Sequence, residues 1–468
     1  MLSKSKSPFL LLFWGAVVAL SLITTILILL DTNRPYYYQG LFFLPLEFGI
    51  LSFLFLDLYC NMTENIGVSL ILVLFFCRMV LSPLAMYFGN YQATITYNIE
   101  KNTSNAIILL MYETLTIFFT LFLKNNNTSN VGISTSSGNY SKLTNTYKIL
   151  MLLTVLALLV CIHITPQIME AYRTIFEISD EFFTNYEDSY VVSKYSVSFI
   201  SKFSLVTGIY LFRALLILLP AFFITILSNK INRTRKLAAK LLCFVPLMFI
   251  GGAIAMSLIY SICLMFLYNY MFAPQKASKK TMTLLAVGGI VTISWWLYRG
   301  ATVNVNVFEN FSRRLSAYFS GVNVISGTFN LPRNIDNRIR YFLYDFIGTV
   351  PYGGTIFKIS GDTIQPFFNK YNYSFGQIPT TIGMGYYYFG PLLAPIYSVV
   401  FANIAFDAGH RLSKGVGQNP MQCIRYLITA FYFSMGIVMY NIQITMIHFF
   451  VPILPMMLLE KISYSKEK

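Results

Sequence analysis

Apolar residues along this chain fall into long uninterrupted runs, separated by shorter polar segments. A helix needs about 20 apolar residues to cross the hydrocarbon core of a membrane, whereas the strands of a membrane barrel show shorter segments of alternating polarity. The runs that are long enough cover residues 9–30, 41–60, 66–88, 105–123, 147–167, 203–228, 282–300 and 385–407. The pattern therefore predicts an all-α, polytopic bundle of transmembrane helices.

Two further apolar runs are too long for one ordinary span. They cover residues 241–273 and 427–459, and each is interrupted near its middle, at Gly251–Gly252 and at Asn441–Gln443. We expect each run to form a tight hairpin of two spans, which brings the total to about twelve spans.

The distribution of charge supports this count. With both runs taken as hairpins, the clusters of Lys and Arg lie on the cytoplasmic side and the short external loops hold few bases, as the positive-inside rule requires. The net charge of +15 is then explained by anchoring on anionic membrane lipid, and nucleic-acid binding is not expected. A composition with 56% hydrophobic and 11% charged residues excludes a water-soluble fold.

The spans divide the chain into three segments. Residues 1–300 are predicted to form an N-terminal transmembrane region of about nine helices, 301–380 a long external loop, and 381–468 the C-terminal transmembrane helices. The first run is expected to be a retained span, because no small-residue cleavage site follows it. The loop is far longer than a connector between helices needs to be, so we expect the substrate site there.

The long loop combines arginine with many aromatic residues. Guanidinium groups bind phosphate oxygens in pairs and aromatic faces stack on sugar rings, so this mixture suits a sugar attached to a phosphate. Two sets have helical spacing and are expected to share a helix face. They are Arg314, Tyr318 and Gly321, and Arg338, Tyr341 and Asp345. An interfacial aromatic belt, or a simple Arg338–Asp345 pair that stabilises the helix, remains an alternative interpretation.

Charged residues inside the apolar runs form a second group of candidates, because an unpaired charge at mid-bilayer costs about 2.5 kcal/mol or more. The group comprises Glu47, Asp57, Arg78, Glu113, His163, Arg213 and Arg299. Arg213 and Arg299 are placed to meet a lipid-linked diphosphate that enters from the outer leaflet. For Arg78 and Glu113 we expect a plain ion pair with each other.

Metal and nucleotide chemistry find no support in the sequence. Only three histidines occur, none of them in the long loop, and no zinc, P-loop or Gly-rich nucleotide motif is present. We therefore predict a protein without a metal or another cofactor.

The segment Asn372–Gly390, NYSFGQIPTTIGMGYYYFG, resembles part of the long external loop of bacterial oligosaccharide repeat-unit polymerases, the Wzy-type polymerases of O-antigen and capsular polysaccharide. The stretches Arg313–Gly321 and Arg340–Phe346 look like other parts of that loop. The resemblance implies a metal-independent, GT-C-like glycosyltransferase in the bacterial cytoplasmic membrane. Its substrate would be undecaprenyl-diphosphate-linked oligosaccharide at the outer face, with a polysaccharide chain-length regulator as a further partner.

This chemistry assigns a role to each candidate residue. Fixed arginines would stabilise the leaving diphosphate, and a carboxylate would take the proton of the acceptor hydroxyl. Arg314 and Asp345 are the predicted catalytic residues, with Asp336 and Glu309 as other possible bases. The predicted substrate-binding residues are Arg313, Arg213, Arg299, Arg338, Arg340, Tyr318, Tyr341, Gln377, Thr380 and Tyr386.

Two other functions fit the same layout. A ligase for the same lipid-linked chains would differ from a polymerase only in its acceptor. A flippase for lipid-linked oligosaccharide would also suit twelve spans and cavity-facing arginines, although the chain shows no internal repeat and such a long external loop is not needed for transport.

Overall fold

The protein is described by a computed structural model that covers most of the chain. The described residues are 8–62, 64–92, 99–128, 144–174, 198–228, 232–251, 254–272, 306–319, 321–350, 352–357, 359, 363–374, 377–415 and 420–463. Apart from one short two-stranded ribbon, the regular structure of these residues is helical. The predicted all-α class is confirmed.

The helices of the N-terminal part mostly follow the apolar runs. They are α1 (Pro8–Leu30), α2 (Phe43–Leu54), α3 (Leu56–Cys60), α4 (Ile66–Phe76), α5 (Ser82–Phe88), α6 (Ile99–Thr128), α7 (Asn145–Ile164), α8 (Ile168–Ala171), α9 (Phe199–Ser228), α10 (Arg233–Leu242), α11 (Val245–Met248) and α12 (Ile254–Phe272). A π-helical turn, Cys77–Leu81, joins α4 to α5. The strands β1 (Tyr172–Thr174) and β2 (Phe249–Gly251) pair antiparallel.

The described residues of the long loop and the C-terminal part form ten further helices. They are α13 (Val307–Tyr318), α14 (Val322–Phe329), α15 (Ile335–Thr349), α16 (Gly353–Ile356), α17 (Ile364–Tyr371), α18 (Thr381–Phe389), α19 (Ile396–Gly415), α20 (Pro420–Val438), α21 (Ile442–His448) and α22 (Leu454–Ser463). The predicted external loop is thus built from short helices rather than from irregular chain.

Eight stretches of the described chain are long and apolar enough to cross a membrane. They are Leu10–Leu30, Tyr36–Leu54, Ile66–Phe88, Lys101–Asn126, Asn145–Ile164, Phe199–Ser228, Met421–Val438 and Ile442–Glu460. The membrane character is therefore confirmed. The predicted span at 282–300 lies outside the described residues, and the total of about twelve spans stays a prediction.

The two long apolar runs expected to form hairpins differ in outcome. The break near Asn441 is confirmed: α20 ends at Val438, and the Asn441 side-chain oxygen accepts a hydrogen bond from the Ile444 N–H at 2.8 Å. The other hairpin, over 241–273, is wrong in its first arm. Residues 241–251 form the end of α10, a turn, the short helix α11 and the strand β2 instead of one continuous helix, and Pro246 lies in the first turn of α11, where its missing N–H costs least.

The single span predicted over residues 385–407 is also wrong. The chain leaves the helical conformation at Gly390, whose φ of +88° lies in the left-handed region that glycine adopts readily. Pro391 follows directly, and α19 begins only at Ile396. The apolar run is therefore divided between α18 and α19.

The chain divides into two compact units. The first comprises Met1–Ile133, Gly288–Ser413 and Thr429–Ile447, and the second comprises Ser134–Val287, Lys414–Ile428 and His448–Lys468. In the first unit, α6 packs against α2 and α14, so a long apolar span carries the helices of the loop. In the second unit, α9 packs against α7, α10 and α12.

Candidate functional site

Helix α15 carries the predicted set of Arg338, Tyr341 and Asp345. The structure confirms that all three residues lie on one helix, over Ile335–Thr349. Asp336 occupies the first turn of this helix, where a negative charge interacts favourably with the helix dipole. This position favours a structural role for Asp336 over the role of an alternative base.

The carboxyl group of Asp345 is buried, with only 3% of the residue exposed. Its Oδ1 accepts a hydrogen bond from the Ile364 N–H at 3.0 Å, and its Oδ2 accepts one from the Tyr388 hydroxyl at 2.6 Å. Burial raises the pKa of Asp345 to about 6, and the two hydrogen bonds oppose part of this effect. The group therefore titrates close to neutral pH.

Arg338 binds the same tyrosine at its other end. Its Nε donates to the Tyr388 carbonyl oxygen at 3.0 Å, and its Nη2 donates to that oxygen as well. Arg338 and Asp345 are seven positions apart, which is about 10 Å along a helix. Arg338 and Asp345 therefore do not pair directly, as the alternative interpretation had it. Each of them is hydrogen-bonded to Tyr388.

Aromatic rings surround the Asp345–Tyr388 contact. The Tyr341 ring stacks on the Phe367 ring, with centroids 4.4 Å apart, and the Phe342 ring meets the Tyr388 ring edge to face at 5.6 Å. Such pairs contribute about 0.5–1.5 kcal/mol beyond their burial. The rings hold α15, α17 and α18 together around the carboxyl group.

Arg333 is the residue that the spacing argument missed. Its guanidinium carbon lies 4.2 Å from the centroid of the Tyr386 ring, and its Nη2 donates to the Tyr386 carbonyl oxygen at 3.2 Å. Its Nε is buried and has no hydrogen-bond partner among the described residues. Arg333 lies before α15 and 53 positions from Tyr386, so helical periodicity could not reveal the contact.

Gln377 and Thr380 precede α18 and are buried. The Gln377 Oε1 and the Thr380 Oγ1 have no hydrogen-bond partner within the described part of the chain. The backbone of Gln377 is fixed by two hydrogen bonds of 3.1 Å with the side chain of Asn369. A buried polar atom without a partner is costly, so both atoms are suited to bind a ligand rich in hydroxyl groups.

A chain of buried polar contacts anchors the start of α18 on the spans. The Thr381 and Ser398 hydroxyl oxygens lie 3.0 Å apart, and the Ser398 hydroxyl donates to Glu113. Glu113 in turn forms a 2.8 Å ion pair with Arg78, and both side chains are fully buried. The predicted Arg78–Glu113 pair is confirmed. Arg78 lies in the π-helical turn, and its Nε and Nη2 have no partner among the described residues.

Helix α13 carries Arg313, Arg314 and Tyr318. The Arg314 Nε donates to the Asn310 side-chain oxygen at 3.2 Å, and the Arg313 Nη2 donates to the Gln92 side-chain oxygen at 3.3 Å. Tyr318 is 51% exposed. The three side chains are accessible from outside the core, as a substrate contact requires.

Gly321, predicted on the same face as Arg314 and Tyr318, lies outside that helix. Helix α13 ends at Tyr318, and Gly321 is the residue that precedes α14. A Cβ atom at this position would lie only 3.0 Å from the Ser316 Oγ, so the close approach of the two chain segments explains the glycine. The prediction was wrong because it assumed an uninterrupted helix.

The two loop helices with predicted catalytic residues pack against different neighbours. Helix α13 packs against α5 and α14, whereas α15 packs against α17 and α18. Helix α14 also packs against α18, so it lies between α13 and the helices around Asp345 in the packing of the first unit. The assignment of Arg314 and Asp345 to one site stays a prediction. Glu309, a further possible base, lies in the first turn of α13.

The remaining predicted residues lie elsewhere. Arg340 is exposed, with its guanidinium carbon 5.2 Å from the Tyr344 ring of the same helix. Arg213 lies on α9 in the second unit and interacts electrostatically with His448. Arg299 lies outside the described residues. Within the described chain, no group of three His, Cys, Asp or Glu side chains could hold a metal ion.

The described contacts thus bring Arg338, Tyr341 and Asp345 together with Tyr386 and Tyr388 around α18, and they place Gln377 and Thr380 at its start. Comparison of the chain with protein-family models, curated proteins and solved structures finds no match in any of the three.

Proposed function

We propose that this protein is a glycosyltransferase of the bacterial cytoplasmic membrane that polymerises undecaprenyl-diphosphate-linked oligosaccharide repeat units at the outer face. In this proposal the chain is a Wzy-type, GT-C-like bundle of about twelve spans. The observation that carries the proposal is the arrangement around α18, where a buried carboxyl group, two arginines and several tyrosine rings meet. These are the groups that a sugar diphosphate would require.

The arginines would stabilise the leaving group. Negative charge grows on the diphosphate as the glycosidic bond to it breaks, and fixed guanidinium groups lower the energy of that state without reorganisation. Arg333 and Arg338 are held by backbone carbonyls of α18, so their positions are fixed before the substrate arrives. Arg313 and Arg314 on α13 are the further phosphate ligands of this proposal, whereas the roles predicted for Arg213 and Arg299 stay predictions from the sequence.

Asp345 would act as the base. With a pKa of about 6 it is mainly ionised at pH 7, and each carboxylate oxygen keeps a lone pair beyond its present hydrogen bond. Because the Tyr388 hydroxyl already donates to Asp345 and both residues are buried, the acceptor hydroxyl would have to bind directly against Tyr388, and the proton would travel through that tyrosine. The Tyr388 hydroxyl gives its proton to Asp345 and takes one from the acceptor hydroxyl, which then attacks the anomeric carbon.

The sugar rings would bind to the remaining polar and aromatic groups. Gln377 Oε1 and Thr380 Oγ1 supply hydrogen-bonding atoms without a partner of their own in the described chain, and Tyr341, Tyr386 and Tyr318 supply faces or edges for stacking. No metal ion or other cofactor is part of this proposal.

The proposal is tested first by deleting the gene for this protein in its native host. The lipid-linked intermediates that accumulate in each leaflet of the membrane are then identified. We expect single repeat units to accumulate on the outer leaflet and long chains to be absent. Units trapped on the cytoplasmic leaflet would identify a flippase. Long chains that remain on their lipid carrier would identify a ligase. Normal surface polysaccharide would contradict all three functions.

The role of Asp345 is tested separately by complementation. Asp345→Asn is expected to reduce chain extension about 10²–10⁴-fold, the usual contribution of general base catalysis. Asp336→Asn is the matched control, because it removes a carboxylate from the exposed first turn of the same helix. Both variants should insert normally. If Asp345→Asn extends chains at the parental rate, Asp345 is not the base, whereas the polymerase function itself still stands on the first experiment.

A further inference from the structure

Helix α10 of the second unit begins where a span ends. The span Phe199–Ser228 stops at Ser228, and α10 starts at Arg233, with the Asn232 side-chain oxygen accepting a hydrogen bond from the Arg235 N–H at 2.8 Å. So short a connection keeps α10 near the membrane boundary, and α10 packs against α9 and α12.

One side of this segment is packed into the second unit. Ala239 and Cys243 are fully buried, and Pro246 of α11 is buried as well. Ala239 and Cys243 are one helical turn apart at the end of α10, and Pro246 lies at the start of α11. One side of the segment is therefore packed into the second unit, and its other side is exposed.

The available side carries an apolar stripe. Leu237 and Leu241 are 59% and 61% exposed, and Phe244 and Met248 are exposed in line with them. Leu237 and Leu241 are one helical turn apart on α10, Phe244 lies in the turn that follows it, and Met248 ends α11, so the exposed apolar side chains follow one another along the segment. An apolar stripe of this kind is not expected to face water.

Basic residues lie beside the stripe. Arg233, Lys236 and Lys240 are exposed, and on the helical wheel Arg233 and Lys240 lie next to Leu237, on the same side of the leucines. No acidic residue occurs in Arg233–Leu242. Arg235, by contrast, is only half exposed and lies on the opposite side of the helix from Leu237.

We propose that the segment 233–248 is a docking surface for anionic phospholipid at the membrane interface. The apolar stripe would enter the boundary between headgroups and acyl chains, and the three exposed bases would bind headgroup phosphates. Exposed apolar side chains next to exposed bases, on a short helix that follows a span, suit the headgroup region and anionic lipid.

The test uses the full-length protein in vesicles of phosphatidylcholine with a minor fraction of phosphatidylglycerol. Leu241→Trp adds a fluorophore to the stripe, and the unmodified chain supplies the background of its three tryptophans. We expect brominated phosphatidylglycerol to quench the added tryptophan more strongly than brominated phosphatidylcholine at equal mole fraction. High salt should remove the difference, because headgroup attraction is screened.

Charge variants identify the residues. R233Q/K236Q/K240Q in the Leu241→Trp background should lose the preference for phosphatidylglycerol, with an effect of about fivefold in affinity for each base removed. R235Q is the matched control on the opposite side of the helix, and R233K/K236R/K240R keeps the charge. Both should behave like the parent, which separates charge loss from misfolding.

Three results would overturn the proposal. Equal quenching by the two brominated lipids would mean a neutral lipid contact. An unchanged preference in R233Q/K236Q/K240Q would place the anionic lipid elsewhere. Absence of quenching by either lipid, together with a smaller particle for L237Q/L241Q, would mean that a second copy of the chain covers the stripe.

Discussion

The first unit contains two sets of one arginine and one carboxylate, and they are used differently. Arg78 and Glu113 lie on different spans and form a direct, fully buried ion pair. Arg338 and Asp345 lie on one loop helix and bind opposite ends of Tyr388. Side chains on two neighbouring helices can contact each other directly when they lie at the same height along the helix axes. Residues seven positions apart on one helix are about 10 Å apart along its axis, which is too far for a direct contact of this kind. The first set neutralises itself, whereas the carboxyl group of the second is hydrogen-bonded to a tyrosine hydroxyl and a backbone N–H.

The largest effect is expected from breaking the buried pair. Glu113→Ala leaves Arg78 as an uncompensated buried charge, and we expect the protein to lose about 3–5 kcal/mol of stability. Thermal unfolding in detergent measures this loss. The double variant R78M/E113L removes both charges and should recover most of it. If Glu113→Ala unfolds at the parental temperature, the pair does not support the fold.

The second set should make the stability of the protein depend on pH, because Asp345 titrates. The pKa of Asp345 is raised above its usual value in the folded protein, so the protonated carboxyl group stabilises the fold. This contribution is complete below about pH 4 and is lost as the pH rises to about 6. The free energy of unfolding should fall by about 3 kcal/mol at most over this range. Chain extension should rise over the same range as the base ionises. Tyr388→Phe removes a hydrogen bond that lowers this pKa, so the stability transition should move to higher pH. A transition unaffected by Tyr388→Phe would contradict the coupling.

A smaller effect is expected at Arg333. Arg333→Met keeps the length of the side chain but removes the charge above the Tyr386 ring and the hydrogen bond to its carbonyl, at a cost of about 1–2 kcal/mol. The Michaelis constant for the lipid-linked donor should rise along with this loss. Arg340→Met is the contrasting variant and should cost only about 0.5 kcal/mol, because its cation–π contact with Tyr344 lies on an exposed part of α15.

The smallest effect on stability is expected at Thr380. Its hydroxyl has no partner in the described chain, so Thr380→Val should leave the unfolding temperature unchanged or slightly raised. Substrate affinity should nevertheless fall if the hydroxyl binds sugar. Thr381→Val is the contrasting variant, because the Thr381 hydroxyl donates to the Ile437 carbonyl at 3.0 Å. Loss of this hydrogen bond should lower the unfolding temperature. Equal stability losses in both variants would show that Thr380 has a partner after all.

Much of the fold could be predicted because it is local. The length of an apolar run determines whether a helix can cross a membrane, and the cost of an isolated charge made the Arg78–Glu113 pair foreseeable. The errors lie where a run is interrupted, at Gly390 between α18 and α19 and near Pro246 before α12. Periodicity also failed at Gly321, where a turn separates two helices.

The sequence by itself determined that this is an all-helical membrane protein, that the loop after residue 300 carries its arginines and tyrosines, and that Asp345 shares a helix with Arg338. Only the tertiary structure decided that Asp345 and Arg338 meet at Tyr388, that Arg333 lies over Tyr386, and that α14 packs against both α18 and the helix that carries Arg314. The reason is separation along the chain. Asp345 and Tyr388 are 43 positions apart, and no local pattern records which helix faces come together over such a distance.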